Sequence, residues 1–248
     1  MRRRLLVRKT ALSIIAVLSV TSIAIAQSKE NRQSFTKAIV VDDRLSALRR
    51  DPNVKSPVLR RLHTGRPVRI IESKKSGPDQ SRFYRVAVTR RTRGWIHEAA
   101  IAVPGRRDDD DRLMKLIETA TDSTERIALC KLFLEYFTRS ALAPRAWLAM
   151  GEEADRAATT LTRNARRRLK TLGEGTTNAS LRDYYLNDSG LDRYSRLRVV
   201  FDFKGSTSEY AYDGKAYREI VRRFPNSEEA RIARGRLESA DQRLANQK

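Results

Sequence analysis

The hydrophobic pattern of this chain has three successive characters. From Thr10 to Ser28 there is no charged residue, and Leu12, Ile14, Ile15, Val17, Leu18, Val20 and Ile23 form an apolar run. Residues 36–103 then carry short runs rich in β-branched residues: Ala38–Val41, Pro67–Ile71, Phe83–Val88 and Gly94–Ile96. Asp51-Pro52-Asn53, Thr64-Gly65, Ser76–Asp79 and Arg90–Arg93 separate them as turns, and the alternation of Tyr84/Val86/Val88 with Phe83/Arg85/Ala87 is that of strands with one buried face. From Arg112 onward the period becomes helical. Ile127, Cys130, Leu134 and Phe137 recur at three- and four-residue spacing, and Ala146, Ala149, Met150 and Ala154 continue on a second helix.

The first apolar run follows Arg2, Arg3, Arg4, Arg8 and Lys9 and ends in Ala24-Ile25-Ala26. A basic start, an apolar middle and a small-x-small end describe a secretory signal peptide over 1–26. The alternative is an uncleaved inner-membrane anchor, because about 17 apolar residues is the lower limit for spanning a bilayer. No cysteine stands at the cleavage point to accept a lipid. The chain is therefore expected to be exported, periplasmic or secreted. The whole chain has 51 Lys and Arg against 30 Asp and Glu, a net +21. Loss of the five basic residues in 1–26 leaves +16 on the mature chain. Outside the cytoplasm such a charge points to wall glycan, lipopolysaccharide or anionic lipid, with no nucleic acid expected.

Residues 36–103 resemble the bacterial SH3-like (SH3b) domain. Leu45 and Ala47-Leu48-Arg49 stand where that family has a Leu-Asn-Val-Arg run, followed by the Asp51-Pro52 turn. Ser56-Pro57-Val58-Leu59 and Leu62, the Gly65 turn, the aromatic strand Phe83–Val86 and the closing Gly94-Trp95-Ile96 follow in order. The departures are Ala47 for the usual asparagine and the basic turn Arg90–Arg93. The resemblance implies a small β-barrel that binds peptides or cell-wall fragments in an aromatic-lined groove, with Tyr84, Trp95 and Arg49 as the candidate residues. Residues 104–111 read as a linker, and Asp108–Asp111 as the acidic first turn of a helix rather than a calcium loop.

The helical region, 112–248, contains an internal repeat. Cys130, Leu134, Phe137, Ser140, Ala143, Ala146 and Met150 match Tyr217, Val221, Phe224, Ser227, Ala230, Ala233 and Leu237, each pair 87 apart. The two units lie near 125–155 and 213–244. The second resembles a tetratricopeptide repeat of the bacterial envelope type, through Phe224-Pro225-Asn226-Ser227-Glu228-Glu229-Ala230; a generic helical hairpin is the alternative. Between them Thr159–Leu172 reads as helix with the basic surface residues Arg163, Arg166, Arg167, Arg168 and Lys170. An insert over 173–212 holds a β-hairpin, Arg198–Phe203 with Glu209–Tyr212, and Asp213 is expected to cap the following helix. The fold class is thus multidomain α+β: an SH3-like barrel followed by a tetratricopeptide-like helical domain with an inserted hairpin.

One cysteine and two histidines leave little for catalysis. Cys130 lies on the apolar face of a helix, His97-Glu98 lacks a second histidine four residues on, and Gly173-Glu174-Gly175 lacks the lysine of a phosphate loop. The reading is a non-catalytic adaptor of the bacterial cell envelope with no cofactor and no metal. Its ligands would be a cell-wall glycan or peptide and an unidentified envelope protein. Tyr184, Tyr185, Tyr194, Tyr210 and Tyr212 are the candidate partner patch, and Arg163, Arg166, Arg167 and Lys170 the candidate polyanion surface. The alternatives are an accessory subunit of a cell-wall enzyme and a basic polyanion-binding envelope protein.

Overall fold

A computed structural model describes residues 36–172 and 184–245, apart from 186 and 188. The expected signal segment and the 173–183 stretch lie outside the described residues. Seven strands come first: β1 (Thr36–Val40), β2 (Ala47–Arg49), β3 (Val58–Arg61), β4 (Pro67–Ser76), β5 (Ser81–Ala87), β6 (Arg93–His97) and β7 (Ile101–Ala102). They form one antiparallel sheet in the order β3-β2-β6-β5-β4-β1-β7. Six α-helices follow among the described residues. They are α1 (Arg107–Thr119), α2 (Ser123–Tyr136), α3 (Ala143–Leu172), α4 (Asp192–Arg196), α5 (Lys215–Arg223) and α6 (Glu228–Ala245), with the hairpin β8 (Phe201–Lys204) and β9 (Glu209–Tyr212) before α5.

The sheet does not close, which corrects the expected barrel. Its edges are β3, exposed along its whole length, and the two-residue β7. At the β7 end the chain continues into α1 instead of another strand, and Arg112 of α1 donates to the Ile101 carbonyl. Ala38, Val40, Leu48, Val68, Tyr84, Val86 and Ile96 make a core on the inner face. Ile39, Val41 and Ala102 point the other way and join Leu113, Ile117, Ile127 and Phe133 of α1 and α2 in the main core.

The segment expected as a linker is therefore a built junction, with α1 beginning inside it at Arg107. Asp108–Asp110 occupy the first turn, where the helix dipole favours acids, but the N-cap is Arg106 and makes no side-chain cap bond. Asp109 turns inward instead. Its carboxylate accepts from the buried Val103 N–H at 2.8 Å and from Arg112 Nη2 at 2.7 Å, while Arg112 also donates to the carbonyls of Glu98 (3.0 Å) and Ile101.

The 87-residue repeat has a backbone counterpart. Phe137 N–H donates to Phe133 O, Ser140 N–H to Phe137 O and Ala143 N–H to Ser140 O; Phe224, Ser227 and Ala230 make the same three bonds, at 2.8–3.1 Å. Each phenylalanine ends a helix in non-helical geometry, and each buried alanine pair (Ala143/Ala146, Ala230/Ala233) lets the next helix pack closely. The two expected helices Ala146–Ala154 and Thr159–Leu172 are one continuous helix, α3. It has alanines on its buried face at 146, 154, 157, 158 and 165. Gly151 lies where α3 meets α5, since a Cβ there would sit 2.6 Å from Tyr217 Cε1, and the Tyr217 hydroxyl donates to Asp155 Oδ2 at 2.7 Å. Before α5, Gly214 is the N-cap, while Asp213 Oδ1 accepts from Lys215 N–H at 2.9 Å.

Candidate functional site

Trp95 sits mid-strand in β6, between two arginines. Strand register places Arg49 of β2 opposite it on one side and Arg85 of β5 opposite it on the other, with Glu72 of β4 beyond Arg85. Directly opposed residues share a face, so Arg49–Trp95–Arg85–Glu72 is one row across the outside of the sheet. Gly94 makes the row possible: a Cβ there would lie 2.7 Å from Leu48 Cγ and 2.8 Å from Arg49 O, so only glycine admits β2 this close. A neighbouring row on the same face runs Arg69–Ala87–Arg93, with both arginines exposed. A β-bulge between Ile70 and Glu72 keeps both rows on that face.

The Arg49 guanidinium of the first row is held in place. Arg49 Nη1 donates to Ser56 O at 2.8 Å, and Ser56 Oγ donates in turn to Asp51 Oδ2 at 3.0 Å. Arg85 Nη1 pairs with Glu72 Oε1 at 2.9 Å, both half-exposed, so the pair stabilises little and exchanges readily for a ligand group. Trp95 is half-buried, and the register sets it between the strand positions of Arg49 and Arg85. Such a surface suits a ligand with carboxylate or carbonyl groups beside an apolar or sugar face.

The expected pairing of Tyr84 with Trp95 in one groove does not occur. Tyr84 is opposite Ile96, and Trp95 is opposite Arg85, so the two rings point to opposite faces. Tyr84 is 4% exposed and belongs to the inner core. Its hydroxyl accepts from Arg106 Nη1 at 2.9 Å, with the guanidinium 5.8 Å from the ring centroid, so it ties the sheet to the start of α1.

The expected tyrosine patch is likewise corrected. Tyr185, Tyr194 and Tyr210 are fully or almost fully buried in the main core. Tyr185 stacks on Phe203 at 4.4 Å between centroids, and the Tyr210 hydroxyl donates to Tyr185 O at 2.5 Å. Folding the β8–β9 hairpin back onto α3 buries these rings, leaving Tyr184 and Tyr212 half-exposed. Of the basic residues on α3, Arg163, Arg166, Arg167 and Lys170 are exposed. Arg166 is spent on the hairpin, through Thr207 O (3.0 Å) and Glu209 Oε1 (2.9 Å), and Arg167 donates to Asn164 Oδ1 at 2.6 Å.

Cys130 and His97 have structural work. Cys130 is fully buried in the main core, and burial pushes its thiol up to about 12, far from a reactive thiolate. His97 caps a short 3-10 turn (Glu98–Ala100), its Nδ1 accepting from Ala99 N–H at 3.2 Å, and its ring meets Phe83 edge-on. His63 lies exposed beside the Thr64-Gly65 turn. Among the described residues no cluster of three or more His, Cys, Asp or Glu is arranged to hold a metal ion, and no helix is long and apolar enough to cross a membrane.

Arg85 is the member of the row that sequence reasoning missed. Its alternation with Tyr84 and Val86 marked it as outward-facing, but only the β5–β6 register puts it against Trp95. No family model, curated protein or solved structure matches the chain.

Proposed function

We propose that this protein is an exported, non-catalytic adaptor of the bacterial cell envelope. Its sheet domain, an SH3-like unit opened at one edge, takes a cell-wall glycan or peptide ligand on the Trp95 face. Its helical domain, a pair of tetratricopeptide-like hairpins, holds a protein partner. The observation that carries the reading is the Arg49–Trp95–Arg85 row: a half-buried tryptophan with an arginine opposite it on each neighbouring strand. Tryptophan and arginine are the residues most enriched where binding energy concentrates. The basic start and Ala24-Ile25-Ala26 of the sequence support export, and the structural engagement of Cys130 and His97 supports binding over catalysis.

The test is co-sedimentation of the full mature chain with purified wall sacculi at about 1 M salt, where screening acts within roughly 3 Å. Isolated halves are unsuitable, because Ile39, Val41 and Ala102 share a core with α1 and α2. Trp95→Ala should weaken binding about thirtyfold, the effect of removing an aromatic anchor worth about 2 kcal/mol. Equal binding by Trp95→Ala contradicts the reading. Binding that disappears at high salt in the unmodified chain assigns the attraction to its general positive charge, including Arg163 and Lys170, and supports the polyanion alternative.

A further inference from the structure

A second candidate site lies in the helical domain, on residues distinct from those of the Trp95 row. A cleft of about 140 Å³ opens between α2, α3 and the connections on either side of the β8–β9 hairpin. Leu134, Trp147 and Met150 form its apolar wall, and the basic residues Lys131, Arg198 and Lys215 also line it. No acidic residue lines it, and none of the three cations has an ion-pair partner among the described residues. The nearest acid in sequence, Asp213, is already engaged by the Lys215 N–H at 2.9 Å and by Arg218 at 3.9 Å.

Arg198 gives the cleft its clearest sign of use. The chain leaves α4 through a left-handed turn in which Arg198 N–H donates to Ser195 O (2.9 Å) and Val199 N–H to Tyr194 O (3.1 Å). Arg198 occupies the left-handed position of that cap at φ 62°. Glycine is the usual residue there, because a side chain at positive φ crowds the backbone. The sequence instead carries an exposed arginine, and that arginine borders the cleft. Gln80 and Ser208 also adopt positive φ, and of these three residues Arg198 is the one that borders the cleft.

We infer that this cleft binds a carboxylate borne on an aromatic or branched apolar group, the apolar part against Trp147 and Met150 and the carboxylate among Lys131, Arg198 and Lys215. The size sets the limit: a cavity of about 150 Å³ holds one benzene ring, whereas pockets for whole drug-sized ligands run from about 300 Å³. The cleft therefore takes one ring or one branched side chain with its acid, either as a small free acid or as the apolar C-terminal residue of a longer chain. The inference is independent of the Trp95 face and stands whether or not that face binds.

The chain has two tryptophans, so the mature protein with Trp95→Phe reports the cleft through Trp147 emission alone. Titration with phenylacetate should give a saturable change, at least tenfold weaker with neutral phenylacetamide. Arg198→Gly should weaken phenylacetate binding at least tenfold while leaving the urea midpoint unchanged or raised, because glycine relieves the left-handed backbone. Lys215→Gln, which touches no backbone constraint, provides a second loss of binding. A short peptide ending in phenylalanine, with a free or an amidated C-terminus, separates the two sources. Tighter binding of the free-acid peptide than of phenylacetate assigns the cleft to a chain end, and binding of phenylacetate alone assigns it to a small acid. Absence of saturation by both acids up to about 10 mM, equal binding of the amides, or undiminished binding by both variants overturns the inference.

Discussion

Replacing Asp109 by alanine should cost about 3–5 kcal/mol and should separate the unfolding of the two halves. The cost follows from what the carboxylate holds. It lies almost fully buried at the end of the sheet, accepts from the Val103 N–H and bonds Arg112 Nη2 at 2.7 Å. Arg112 in turn bonds two backbone carbonyls of the 98–101 segment. Removal of the anion strands a buried N–H and a partly buried guanidinium together, the circumstance in which a broken buried pair is most destabilising. Asp109→Asn retains an acceptor for Val103 and should recover part of the loss. Single-tryptophan variants report each half in urea, Trp95 for the sheet and Trp147 for the helices. Their transitions should coincide in the unmodified chain, whose main core spans both halves, and diverge in Asp109→Ala. Coincident transitions in the variant would mean that apolar packing of Ile39, Val41 and Ala102 couples the halves without this junction.

Glu153→Ala should produce the other large loss, again about 3–5 kcal/mol, this time within the helical domain. Glu153 is a buried carboxylate on α3 that pairs with Arg126 of α2 at 3.1 Å and with Arg156 at 3.3 Å, and accepts from Ser123 Oγ. Arg126 is itself mostly buried and also bonds Glu118 O at 2.8 Å, so the network joins the ends of α1 and α2 to α3. Loss of the acid leaves Arg126 charged and unpaired against the core. The thermal midpoint should fall on the order of 10 °C for a chain of this size. The double change Arg126→Met with Glu153→Leu removes both charges and should restore most of the stability, since apolar residues of similar volume replace buried ion pairs at little cost. Failure of the double variant to recover stability would show that the hydrogen bonds to Ser123 and Glu118, rather than the stranded charge, carry the effect.

The features legible in the sequence were those fixed by local geometry. The spacing Phe-x-x-Ser-x-x-Ala dictates a corner, and both copies make it with the same backbone hydrogen bonds. The strands around Pro67, Phe83 and Gly94 were readable from alternation. Their lengths were not, because β4 continues through the polar run Glu72–Ser76 as a hairpin arm paired with β5. What escaped depends on contacts between distant segments. Tyrosines 185, 194 and 210 are equally compatible with a surface patch and a core until the hairpin is known to fold onto α3. Edge closure likewise depends on which element reaches β7, and α1 reaches it through Arg112. Trp95 and Arg49 were both recognisable as candidates, but the row needed Arg85 and the register. The cleft drew Lys131, Arg198 and Lys215 from three separated stretches, and an arginine in a left-handed turn carries no sequence signature.

The adaptor reading rests on Trp95 meeting the wall ligand, and its own fluorescence tests that contact. In the mature chain with Trp147→Phe, Trp95 is the sole tryptophan. Titration with soluble wall fragments at about 1 M salt should shift and saturate its emission, at concentrations matching those at which the same chain is retained on sacculi. An emission unchanged by fragments, with retention on sacculi intact, would place the ligand elsewhere and contradict the account.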